Sequence, residues 1–154
     1  MEELLFVILF VPVLTFIINN FIIWLIHWFL HQSYALWLHA KHIEHHSNNG
    51  IYDQDNKLLF TIVAIPFLIA TVILTLCGIY APIVGFVIFI CALANSSLHD
   101  YLHIQFHNKD SWLFKYNWFL KLRNFHFIHH KVLNKNFGVI VFVWDKLFKS
   151  FASR

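Results

Sequence analysis

Apolar residues run almost without interruption from Leu4 to Leu30 and from Leu58 to Cys77, and a shorter run covers Ile83 to Ala94. The first two exceed the roughly 18 apolar-rich residues that mark a membrane-spanning helix. The pattern therefore predicts spans at about 4–30, 58–77 and 83–98. Pro12 is placed to kink the first. Asn19 and Asn20 lie at membrane depth, where an amide needs a partner, either on another helix or in a polar lining beneath a metal site. Residues 32–57 read as a connection holding one helix, ended by Asn48, Asn49 and Gly50. Gly78 to Pro82 reads as a short turn. The third helix continues through Asn95 to His99, His103 and His107, which repeat every four residues on one face.

Composition agrees with the pattern. The chain of 154 residues is 59% hydrophobic and 12% charged, against roughly 25% charged in an ordinary soluble domain. The expected fold is an all-α integral membrane protein, a single domain over 1–154 with about three transmembrane helices and a cytoplasmic helical cap that carries a His-rich dimetal site. Glu2 and Glu3 give the first run an acidic head, unlike a cleavable signal peptide, so it is expected to stay as an anchor. Cys77 and Cys91 form no CxxC and no framework, which argues against a disulfide scaffold or thiolate metal site. The net charge of +3 is diluted among aromatics and follows the spans, so nucleic acid is not expected as a partner. Lys and Arg occur only at Lys41, Lys57 and from Lys109 onward. By the positive-inside rule, 32–57 and 99–154 are cytoplasmic and the N-terminus is outside.

Ten of the twelve histidines form four clusters: His27 and His31; His42, His45 and His46; His99 and His103; His126, His129 and His130. HxxxH places two imidazoles on one helical face, and HxxHH adds a neighbour turned toward a second ion. With the spans as predicted, all four clusters fall on the side chosen by Lys and Arg, although that rule ignores histidine. Ten imidazoles exceed the six positions of one octahedral ion, whereas two ions receive five each and keep one position open, as a catalytic metal requires. Donor type alone leaves iron, copper, nickel and zinc open. His39 and His107 fit neither kind of box and are candidate supporting groups, as are Asp100, Asp145 and Asn95, with Glu44 and Asp53 as further acids. The eighteen Phe, six Trp and five Tyr read as interfacial belt and core. A different class of reading is a non-catalytic His-rich membrane protein that stores, senses or passes metal. Haem between helices would need paired histidines within the spans rather than at their ends.

HWFLH at His27, HIEHH at His42, HDYLH at His99 and HFIHH at His126 are followed by Asn136-Phe137-Gly138 and by Trp144-Asp145-Lys146-Leu147-Phe148. Over about residues 24–148 this order resembles the fatty acid hydroxylase superfamily, which also holds sterol desaturases and carotenoid ring hydroxylases. The resemblance implies a non-haem centre of two Fe ions on the boxed histidines, with zinc as a substitute in purified material. It also implies a lipid substrate such as a fatty acyl chain or sterol, O2, and an external electron donor, a ferredoxin or a cytochrome b5-like protein with its reductase. Gly50-Ile51-Tyr52-Asp53, His99-Asp100 and Leu120-Lys121 are similar to carotenoid hydroxylases, but those usually place four residues between the paired histidines of boxes one and three, where this chain has three. Box three and the WDKLF ending are closer to fatty acid hydroxylases and sterol desaturases. The Gly-Thr usual after that Phe is replaced by Lys149-Ser150.

Overall fold

The computed structural model describes residues 2–47, 61, 64–79 and 81–154, and among them it contains helices and no strand. Six α-helices follow in order: α1 Glu2–Leu30, α2 Trp37–Ser47, α3 Ala64–Leu76, α4 Pro82–His107, α5 Asn117–Lys131 and α6 Val143–Leu147. Short 3-10 turns at Ser33–Ala35 and Trp112–Lys115 precede α2 and α5. The predicted helix stop at Asn48 to Gly50, the acid Asp53 and the start of the 58–77 run lie outside the described residues.

Among the described residues two helices are long and apolar enough to cross a membrane, Leu9–Leu30 within α1 and Pro82–His107. At 1.5 Å per residue the 22-residue stretch of α1 reaches about 33 Å, which exceeds a hydrocarbon core of about 30 Å. The 13 residues of α3 reach only about 20 Å. Among the described residues it is a shorter apolar helix, and it covers the second part of the run expected to span at 58–77. Gly78, at φ +69°, stops α3: Ile79 N donates to Leu74 O and Gly78 N to Thr75 O, the paired bonds of a Schellman cap. Pro82 opens α4 at a position where its missing N–H has no helical partner to lose.

The chain divides into two compact units, one of residues 1–22 and 58–100, the other of 23–57 and 101–154. In the first, Ala92 and Ser96 on α4 are fully buried, and such small side chains let helices approach closely. There Asn19 donates to Ser96 Oγ (3.1 Å) and accepts from Asn95 Nδ2 (2.5 Å), the interhelical role open to it from sequence. Asn20 instead returns to its own helix at Phe16 O (2.8 Å). Leu9, Phe10, Val13 and Leu14 on α1 and Ile83 and Phe86 on α4 remain exposed, an apolar surface suited to lipid contact.

The second unit has an aromatic core. Phe106 and Phe119 are fully buried with ring centroids 5.2 Å apart, and Phe125 packs against Phe142 at 5.0 Å and Phe151 at 5.2 Å. Arg123 Nε donates to Phe106 O (2.8 Å), which satisfies a carbonyl in the last turn of α4 and binds α5 to that helix end. His39 Nδ1 does the same for α1 and α2, donating to Leu30 O at 2.8 Å.

Candidate metal centre

Helical spacing and this docking bring ten imidazoles of the second unit into two groups. His27, His31, His42, His46 and His129 form the first; His45, His103, His107, His126 and His130 form the second. In each group one ring nitrogen from every residue lies within 4.8 Å of all the others. Four of the contributing pairs are i, i+4 on one helix: 27 and 31 on α1, 42 and 46 on α2, 103 and 107 on α4, 126 and 130 on α5. The middle histidine of each HxxHH crosses over. His45 of α2 joins the second group and His129 of α5 the first. The groups are neighbours, with the rings of His46 and His130 centred 4.2 Å apart.

The spacing of the nitrogens fits shared cations better than mutual hydrogen bonds. His31 Nε2 lies 3.1 Å from His129 Nε2 and 2.9 Å from His42 Nε2, which is itself 3.1 Å from His46 Nε2. In the second group His126 Nε2 lies 2.8 Å from His107 Nε2 and 3.0 Å from His130 Nε2. A ring nitrogen carries either one proton or one in-plane lone pair, so it cannot make two linear hydrogen bonds to its neighbours. Two nitrogens held at right angles about 2.1 Å from one ion are about 3.0 Å apart, and opposed ones about 4.2 Å. The observed separations match that scale, and five donors leave a sixth octahedral position open.

The far side of the rings fixes their tautomers. His27 Nδ1 donates to Phe137 O and His129 Nδ1 to Lys135 O, both at 2.6 Å, which leaves each Nε2 as a bare donor toward its group. Outside the spans, burial lowers the pKa of His42, His46, His126, His129 and His130, and the charges of neighbouring histidines lower it further. His31 falls from 6.5 to about 4, through burial and then the charge of His39. At neutral pH these rings are uncharged, as ligation requires.

Asp145 acts one layer further out. Fully buried, it accepts from Phe137 N and Gly138 N at 2.8 Å each, from Ser150 Oγ at 2.7 Å and from Trp24 Nε1 at 3.2 Å. It therefore holds the peptide whose carbonyl receives His27 rather than touching that ring. Asn136 tolerates φ 55° and ties the same loop to Phe125 O (3.1 Å) and Ala152 O (2.8 Å). A Cβ on Gly138 would collide with Val141 O and with Asp145 Oδ2, so glycine is required there. The NFG and WD motifs thus form one clamp behind the first group.

The remaining sequence candidates fall elsewhere. His107, read from sequence as a supporting residue, stands in the second group, and His99, read as a ligand, is in neither group among the described residues. The two are eight positions apart on α4, about 12 Å along its axis, and both pair with His103 at helical spacing. His99 lies in the first unit, where its Nδ1 donates to Asn95 O at 2.8 Å. Asp100 accepts from Thr61 N (2.6 Å) and from Thr61 Oγ1. The signal for His107 was the unbroken 99, 103, 107 periodicity, which local spacing could not divide.

The family model described as fatty acid hydroxylase matches residues 12–150. No curated protein and no solved structure matches the chain.

Proposed function

The chain belongs to the fatty acid hydroxylase family, and from that premise we propose that it is a membrane oxygenase that hydroxylates or desaturates an aliphatic lipid at a centre of two irons. The observation that carries this reading is the pair of five-imidazole groups side by side, each with room for one more ligand. When bound, paired irons supply the oxygen activation and one-electron chemistry that an unactivated C–H bond demands and that protein side chains lack. Hydroxylation balances as RH + O2 + 2 electrons + 2 protons giving ROH and water. Desaturation removes two hydrogens and forms two waters from the same inputs. The electrons come from an external donor, a ferredoxin or a cytochrome b5-like protein with its reductase.

The chain's own residues perform three tasks. The carbonyls of Phe137 and Lys135 hold the Nδ1 protons of His27 and His129, so that Nε2 faces inward. Burial of eight of the ten rings excludes bulk water and keeps those outside the spans neutral, and His31 and His130 are the less buried members of their groups. His45 and His129 each cross from one helix's pair to the other group and couple the two positions.

The test combines composition and product. Purified protein from iron-replete cells is expected to hold about two metal ions per chain, one for each group. Lipids of a host expressing the chain are expected to gain one oxygen or lose two hydrogens by mass spectrometry. His45→Ala or His129→Ala should abolish that change while the protein remains membrane-inserted. Readily exchangeable zinc with no oxygen consumed in lipid-containing extracts would assign the chain to metal storage or transfer instead.

A further inference from the structure

A groove of about 410 Å³ lies where the first turns of α5 meet α6 and the tail beyond it, and it shares no residue with either histidine group. Trp118, Lys121, Leu122 and Phe125 line it from α5 at i, i+3, i+4 and i+7, one face of a helix. Lys146 lines it from α6 and Phe151 from the tail. Phe125 and Phe151 have ring centroids 5.2 Å apart. Two ammonium groups stand over this pair, Lys121 Nζ 5.9 Å from the centroid of Phe125 and Lys146 Nζ 5.3 Å from that of Phe151. No acid lines the groove, and among the described residues neither ammonium pairs with a carboxylate.

The adjoining surface has the make-up of a membrane boundary. Trp118 stacks beside Tyr116 with ring centroids 6.1 Å apart, Tyr116 meets Trp112 at 5.9 Å, and Trp112 Nε1 donates to the Tyr101 hydroxyl at 3.0 Å. All four are exposed, and Lys115 Nζ lies 5.1 Å over both Trp112 and Tyr116. Trp and Tyr, each with an apolar body and a polar tip, collect at the headgroup level of a bilayer, where Lys reaches outward. The length of α4 sets that level independently. Its 26 residues reach about 39 Å, and a hydrocarbon core of about 30 Å takes roughly 20 of them, from Pro82 to about Tyr101. The row of aromatics that leads from Tyr101 to Trp118 starts at that level and ends in the groove. From Lys109 onward the chain carries nine Lys and Arg against Asp110 and the buried Asp145, a balance that draws it to an anionic leaflet.

We propose that this groove holds the headgroup of an anionic phospholipid of the bilayer, its phosphate facing Lys121 and Lys146 and its apolar part against Trp118 and Leu122. The bound molecule is a resident boundary lipid rather than a substrate, and its binding does not depend on what the metal centre does. A bilayer is favoured over an acidic protein because it also accounts for the exposed row of Trp and Tyr beside the groove.

The test uses the full-length protein reconstituted in phosphatidylcholine vesicles, with its Trp fluorescence quenched by small fractions of dibrominated phosphatidylglycerol or dibrominated phosphatidylcholine. Phosphatidylglycerol is expected to quench more at the same fraction, and Trp118→Phe should remove that difference. Lys121→Gln and Lys146→Gln should each weaken the preference roughly fivefold, the scale of one lysine at an anionic surface, with metal content unchanged. Lys131→Gln, at an exposed lysine of α5 outside the groove, should leave the preference intact. A preference that Trp118→Phe retains, or that Lys131→Gln weakens as much as Lys121→Gln does, would overturn the assignment. Equal quenching by the two lipids would overturn it as well and leave the basic groove to an acidic protein. Displacement of the brominated lipid by soluble glycerol phosphate at a matching concentration would assign the groove to a free phosphate instead.

Discussion

Asp145 receives a backbone N–H on each carboxylate oxygen, from Phe137 on one and Gly138 on the other, with the indole of Trp24 and the hydroxyl of Ser150 completing its shell. An amide cannot replace it, because one of its two ends is a donor and would face another donor. Asp145→Asn is expected to lose roughly 2–4 kcal/mol of stability and, through Phe137, to loosen His27. The check is thermal unfolding together with metal analysis: stability and occupancy should fall together, and Ser150→Ala, which removes one hydroxyl donor to the carboxylate and leaves both backbone donors, should do less of both. In the sequence Asp145 stood out only as one of several acids that could accept the second N–H of a ligating imidazole. Its route of action was not, since it works through a main-chain carbonyl, and main-chain groups leave no letter in the sequence.

At the scale of elements, every metal-facing helix presents an i, i+4 pair, and α2 and α5 each add one crossing residue. This division predicts unequal effects along α4. His107→Ala is expected to reduce bound metal from about two ions per chain toward one by emptying the second group, whereas His99→Ala should retain both. Metal analysis of the two variants, each verified as membrane-inserted, decides between them; loss of metal from His99→Ala with none from His107→Ala would reverse the assignment. The histidine boxes and the long apolar helices were plain from periodicity, and the reading of the first helix from about Leu4 toward His31 agrees with α1, whereas no bounds for α5 were legible. The choice between two overlapping HxxxH pairs was not legible either, because 99, 103 and 107 lie in one row and the helix alone does not say which two turn toward α5.

For the molecule as a whole, the buried histidines link proton concentration to stability. The folded pKa of His31 is about 4, below its ordinary 6.5, and burial moves His42, His46, His126, His129 and His130 in the same direction. As pH falls below 6.5 the unfolded chain takes up protons that the folded chain refuses, so stability declines from there down through pH 4. Protons also compete with metal for the same nitrogens. The expected outcome is an unfolding temperature that drops steadily below pH 6.5, more steeply for the metal-loaded protein than for the metal-free one, with metal released over the same window. A profile flat across that window would contradict rings buried in the neutral form.

Runs of apolar residues, helical spacing of the boxes and the order of motifs are local properties, and the sequence by itself determined from them the helical character, two long apolar helices, the family and a count of imidazoles suited to two ions. Which imidazoles come together in each group was decided only in three dimensions. His31 and His129 are 98 positions apart yet their Nε2 atoms lie 3.1 Å from each other. Such contacts are closed by the docking of α5, the anchoring of Arg123 on the end of α4 and the clamp around Asp145. The physical reason is that a helix fixes the angle between its own side chains, whereas coordination depends on distances between helices.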